Sequence, residues 1–158
     1  MAFGLSGCFA TSTTPMAYSR GCLTDRIDIV ENASWEGVQP NHIRIVDDSF
    51  RPMVMYVEKN RPYILKIENA DPHTHSFWAP GFLKQGVALE SVQIGDKAPA
   101  KGCVNAVRIE GRSEVTLKFV PVWDGRYEFF NGTLPLLTGS MASGVIHVVN
   151  PRIGIASK

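Results

Sequence analysis

The chain has 158 residues, with 16 Lys+Arg against 15 Asp+Glu and a formal net charge of +1, so it lacks the basic excess that phosphate-backbone binding requires. Hydrophobic residues at 44% and charged residues at 20% give the composition of a folded globular domain and exclude a disordered or collagen-like chain. The 14 Gly and 10 Pro exceed average usage and imply frequent turns, which favours short strands over long helices.

Residues 1–24 read as an N-terminal tether and 25–158 as one domain. Leu5-Ser6-Gly7-Cys8 resembles a bacterial lipobox, in which the cysteine is cut free and lipidated, although the basic n-region and most of the apolar stretch are missing. Cys8 is therefore expected to carry a lipid, with the small polar run Ala10-Thr11-Ser12-Thr13-Thr14-Pro15 as the spacer beyond it. Two uncharged runs, 1–19 and 129–151, contain Pro, Gly and Ser/Thr, so neither reads as a membrane-spanning helix.

Beyond residue 25 the apolar pattern has a period of two. Ile43/Ile45, Tyr63/Leu65/Ile67, Val115/Leu117/Phe119, Tyr127/Phe129 and Ile146/Val148 each alternate with outward positions, as half-buried strands require. Turn chemistry separates them: Asp47-Asp48-Ser49, Lys59-Asn60-Arg61-Pro62, Glu110-Gly111-Arg112, Trp123-Asp124-Gly125 and the stretch from Ser140 to Gly144. A weak helical stripe runs from Gly86 to Val92, and Gly95 to Cys103 reads as an exposed excursion. The pattern predicts an all-β, Greek-key β-sandwich.

The order of these segments carries a resemblance. Phe50-Arg51-Pro52, then Asn69 to His75-Ser76-Phe77, then Gly125-Arg126-Tyr127-Glu128-Phe129 and finally Gly144-Val145-Ile146-His147-Val148 follow the strand order of the cupredoxins. That family has an F-x-P strand, an N-x(5)-H-x-F strand and a last hairpin G-x-Y-x-F-x-C-x(4)-H-x(4)-M-x(2)-G-x-I-x-V. The resemblance spans roughly residues 41 to 150 and implies a Greek-key sandwich of the cupredoxin type. It places the first histidine ligand of a copper site on His75 and the axial methionine on Met141. The thiolate position falls on Asn131 and the second histidine position on Leu136, so two of four ligands are missing. A type 1 centre depends on its copper–thiolate bond, and blue-copper electron transfer is not expected. What remains is an altered, colourless or weakly coloured copper site. His73 and His75 share a strand face with bases roughly 7 Å apart from the rise per residue, and Met141 adds a thioether that favours Cu(I).

The other candidates are plainer. His147 points to solvent between Ile146 and Val148, His42 reads as surface, and Met53 and Met55 read as packing. Cys22 and Cys103 form a candidate disulfide for an oxidising compartment. Asn32-Ala33-Ser34 and Asn131-Gly132-Thr133 match the short glycosylation sequon. The chain has no G-x-S-x-G, G-x-G-x-x-G, G-x(4)-G-K or H-E-x-x-H, and no acid, base and pocket assemble, so an enzyme is not expected. Two readings result. One is a periplasmic or cell-envelope copper-binding module with His75, Met141 and His73 as ligands. The other is a metal-free structural or interaction module whose partner docks on an apolar rim near Leu136 and Trp78, made of Leu134 to Leu137 with Phe77, Pro80 and Phe82 across from it.

Overall fold

The computed structural model describes Met16–Tyr18, residues 26–132 and residues 143–151. Eleven strands among the described residues build two facing sheets. The strands are β1 (Met16–Tyr18), β2 (Pro40–Val46), β3 (Ser49–Arg51), β4 (Val54–Glu58), β5 (Tyr63–Asn69), β6 (His75–Trp78), β7 (Val87–Ile94), β8 (Val104–Ile109), β9 (Glu114–Pro121), β10 (Gly125–Asn131) and β11 (Ser143–Val149). One sheet runs β1-β8-β6-β10-β11-β4 and the other β3-β2-β5-β9-β7. Two pairs are parallel, β2 with β5 and β4 with β11, so sequence neighbours cross between the sheets as a Greek-key sandwich requires. Within the stretch expected as a tether, β1 pairs antiparallel with β8.

The period of two is realised physically. In β2, β5 and β9 the alternating Ile43, Ile45, Leu65, Ile67, Val115, Leu117 and Phe119 are fully buried. The motif aromatics meet at the centre. Phe50 lies edge-on to Phe77 (6.2 Å between ring centroids) and to Phe129 (5.0 Å), and Phe77 and Phe129 are 5.1 Å apart. Rings in such edge-to-face arrangements gain about 0.5–1.5 kcal/mol per pair beyond their buried area. Gly144 on β11 lies against Phe129, and a Cβ there would collide with the ring and with the Met53 carbonyl.

Two expectations are corrected. The stretch Gly86 to Val92 is not helical: a π-helical turn at Phe82–Gly86 leads directly into strand β7. A bulge between Leu89 and Ser91 shifts the pattern of β7 so that Val87/Ala88 and Ser91/Val92 are buried, Val87 and Val92 in the main core and Ala88 beneath α1, a spacing of four that imitates a helix. Second, Phe77 and Phe82 are wholly buried core rather than rim, and of that group Trp78 and Pro80 stay partly exposed. Helix α1 (Ile27–Glu31) was not foreseen; it covers the outer face of β7 and β9, where Val30 packs on Ala88, Val120 and Val122. Among the described residues no helix is long and apolar enough to cross a membrane.

Candidate metal centre

The site lies at the end of the sandwich where the β2–β3 turn, the β5–β6 connection, the β8–β9 turn and the end of β10 meet. Asp47 (φ 51°) and Asp48 (φ 59°) are the two central residues of the β2–β3 hairpin, both in the left-handed region that such two-residue turns demand. Neither is Gly, and the turn is held from outside. The Asp71 carboxylate accepts the Asp47 N–H on Oδ1 and the Asp48 N–H on Oδ2, each at 3.0 Å.

Asp71 is itself placed by Asn69, the last residue of β5 and fully buried. The Asn69 amide donates to the carbonyls of His73 (2.8 Å), Ile109 (3.1 Å) and Glu110 (3.0 Å), and its Oδ1 accepts the Asp71 N–H at 3.0 Å. One side chain thus ties the β5–β6 connection to the β8–β9 turn. It also explains why His73 is outside β6, against the expectation of a shared strand face. Pro72 offers no N–H, and the His73 carbonyl is taken by Asn69 instead of a ladder partner.

His75 opens β6 and is 3% exposed. Its Nε2 lies 2.9 Å from Asp71 Oδ2, and its Nδ1 lies 2.7 Å from the Asn131 side-chain nitrogen. The Asn131 Oδ1 accepts the Ser76 backbone N–H at 3.2 Å, which turns the amide NH2 toward the ring. Nδ1 therefore accepts and Nε2 carries the proton it donates to Asp71. The hydrogen bonds run in one direction, from the Ser76 N–H through Asn131 and His75 to the Asp71 carboxylate.

His73 stands outside this buried line. Its side chain is 56% exposed, its Nε2 is 2.8 Å from Asp48 Oδ1, and its ring centroid is 4.6 Å from that of His75. Asp48, Asp71, His73 and His75 each offer a ligand atom within 4.8 Å of the others. Electrostatics follow the hydrogen bonds. The Asp48 N–H foremost, with His75 and the Asp47 N–H, holds the Asp71 carboxyl at about 2 against the opposing effect of burial. The hydrogen bond and charge of Asp48, aided by Asp71, raise the His73 imidazole above its ordinary value despite partial burial.

The structure brings together His73 and His75 of the expected ligand set, while Met141 lies outside the described residues, as do Leu136, Cys8 and Cys22. Asn131 occupies the position that the sequence pattern assigns to a thiolate, beside His75. Cys103 is disulfide-bonded. His42 is exposed, and His147 stacks on Tyr56 at 4.9 Å. Sequence reasoning missed Asp71 and took Asp48 only as a turn residue. No sequence signal marks Asp71, because the turn whose N–H groups it accepts lies at least 23 residues earlier in the chain.

No family model and no curated protein matches the chain. Solved structures do. A multi-copper oxidase from Pediococcus acidilactici aligns with a TM-score of 0.51 at 13% identity, covering 81% of this chain and 29% of the oxidase. A copper nitrite reductase from Nitrosomonas europaea aligns at 0.48 and 16% identity, covering 61% of this chain and 33% of the reductase. The reduced state of an amicyanin mutant aligns at 0.43 and 13% identity, covering 70% of this chain and 82% of the amicyanin. The chain thus spans about a third of the length of the two enzymes. The fold is the cupredoxin-like β-sandwich.

Proposed function

We propose that this cupredoxin-like sandwich is an extracytoplasmic metal-binding module, a carrier or scavenger of copper at a non-blue site rather than an electron-transfer protein or an enzyme. The observation that carries the reading is the convergence of two imidazoles and two carboxylates at one end of the sandwich. The fit can be judged from the distances between ligand atoms. The pairs His73–Asp48, His75–Asp71 and His75–Asp48 are 2.8, 2.9 and 3.7 Å apart. Ligands on a common ion with bonds of about 2.1 Å sit roughly 3.4 Å from one another, so these three pairs lie close to that spacing, and all four ligand atoms lie within 4.8 Å of one another. Nitrogen and carboxylate donors suit Cu(II) and Zn(II), which moves the preference away from the Cu(I) that a Met141 ligand implied. A bound ion would supply no chemistry beyond its own storage and hand-over.

Titration of the full chain with Cu(II), Zn(II) and Cu(I) tests this. One equivalent of Cu(II) is expected to bind without an intense visible charge-transfer band, and His73→Ala is expected to weaken it at least ~10-fold. An affinity unchanged by that substitution removes the site. Extracytoplasmic placement, in the periplasm or cell envelope, draws support from the disulfide-bonded Cys103; a lipid on Cys8 rests on the lipobox resemblance alone. A reduced Cys103 in protein isolated from its host, seen by non-reducing mass analysis, counts against it.

A specific observation favours a second reading. The polar atoms of His75 and Asn131 are satisfied without any ion, as a metal-free interaction module requires. Its partner would meet the rim near Trp78 and Leu136, and Leu136→Asp is expected to lower self-association or partner capture in that case.

A further inference from the structure

Resting on the metal-binding reading above, we infer that His75 is not a ligand of the ion: Asn131 locks its ring as an inner support, and the ion is held at the rim by His73, Asp48 and Asp71. The argument is one of lone pairs. A neutral imidazole has one, and it lies on whichever nitrogen lacks the proton. The Ser76 N–H fixes the Asn131 amide, the amide N–H occupies the lone pair on Nδ1, and the proton is left on Nε2 facing the acidic group. Ligation through Nε2 moves the proton to Nδ1, where it meets the Asn131 NH2, donor against donor. Ligation through Nδ1 requires the Asn131 N–H, 2.7 Å away, to withdraw. Both routes break a buried hydrogen bond, which costs more than an exposed one.

The outer groups carry no such restriction. The side chains of His73 and Asp48 are 56% and 70% exposed and can turn toward an ion. Asp71 keeps a lone pair on Oδ1, which accepts only the Asp47 N–H, while Oδ2 takes both the Asp48 N–H and the His75 N–H. In this arrangement His75 is a positioning residue: its N–H orients the Asp71 carboxylate, the support that ligating carboxylates commonly have. One imidazole and two carboxylates with water make a donor set without sulfur, suited to a divalent ion and not to Cu(I).

The test uses the full chain labelled with 15N-histidine, Zn(II) as a diamagnetic probe, and long-range 1H–15N correlation of the ring nitrogens at fixed pH. Before Zn(II), His75 is expected as the Nε2–H tautomer. After it, a His73 nitrogen moves to a metal-bound position while both His75 nitrogens keep their shifts. Movement of either His75 nitrogen to a metal-bound position overturns the assignment yet leaves the metal reading standing. Absence of change at both histidines removes the metal reading and this inference with it. As a second measurement, His75→Gln keeps an N–H for Asp71 and is expected to hold Zn(II) affinity within about threefold, against at least ~10-fold loss for His73→Ala; equal losses overturn the distinction.

Discussion

Replacing Asn69 by Ala tests whether one buried amide organises the whole site. Its nitrogen faces three carbonyls but carries two hydrogens, so two donated bonds and one accepted bond are lost. At about 1 kcal/mol net for each bond, with up to 3 for each buried group left without a partner, the loss is about 3 kcal/mol, within a range of 2–5. With an m-value of about 2 kcal/mol/M for urea, the midpoint falls by roughly 1.5 M. The matched control is Asn105→Ala, because the buried Asn105 Oδ1 has no hydrogen-bond partner; that variant loses under about 1 kcal/mol. Urea unfolding followed by tryptophan fluorescence reads both. A shift below about 0.5 M for Asn69→Ala, or equal shifts for the two variants, would refute the view that Asn69 is the hub.

Other outcomes follow from the same geometry. Because the Asp71 carboxyl is depressed to about 2 in the folded chain, its contribution to stability is present above the ordinary carboxylate range and fades as pH falls from about 4 toward 2. Thermal unfolding from pH 6 to 2 should show that slope, and Asp71→Asn should flatten it; parallel curves count against the assignment. The His73 imidazole, raised by Asp48, should titrate above its ordinary value in the metal-free protein by 1H NMR and return to it in Asp48→Asn. Its pairing stabilises the fold below about pH 6.5 and is lost as pH rises through the folded value. Gly144→Ala forces a methyl into the Phe129 ring and the Met53 carbonyl, and should cost about 1–3 kcal/mol or more in chemical denaturation, with no cost indicating that β11 shifts freely.

What the sequence revealed depends on how many faces of each strand are covered. β2, β5, β9, β10 and β11 keep the two-residue alternation that half-buried strands show. β7 loses it to the bulge at Leu89/Ser91 and to α1, which buries Ala88 on the outer face. The aromatic positions Phe50, Phe77 and Phe129 were legible through the ordered resemblance and do form one cluster. In the site, the histidine pair stood out through the H-x-H spacing together with the resemblance at His75, although His73 is not on the strand. Asp71 did not, because its role rests on a turn 23 residues away in sequence. Asn131 was singled out only through the resemblance, at the position that it assigns to a thiolate. Its positive role was hidden, since which end of an amide faces a ring is decided by the Ser76 backbone.

A hydrogen-bonded line with a single sense of donation behaves like a row of one-way gates, and reversing one member reverses those beyond it. The substitution Asn131→Asp would set a carboxylate oxygen, which accepts from the ring, where the amide now donates, drawing the imidazole proton to Nδ1. The free electron pair of His75 would then emerge on the opposite edge, among Asp48, Asp71 and His73. A change of NH2 to oxygen, 56 positions away in the chain, would thus turn a buried prop into a fourth donor.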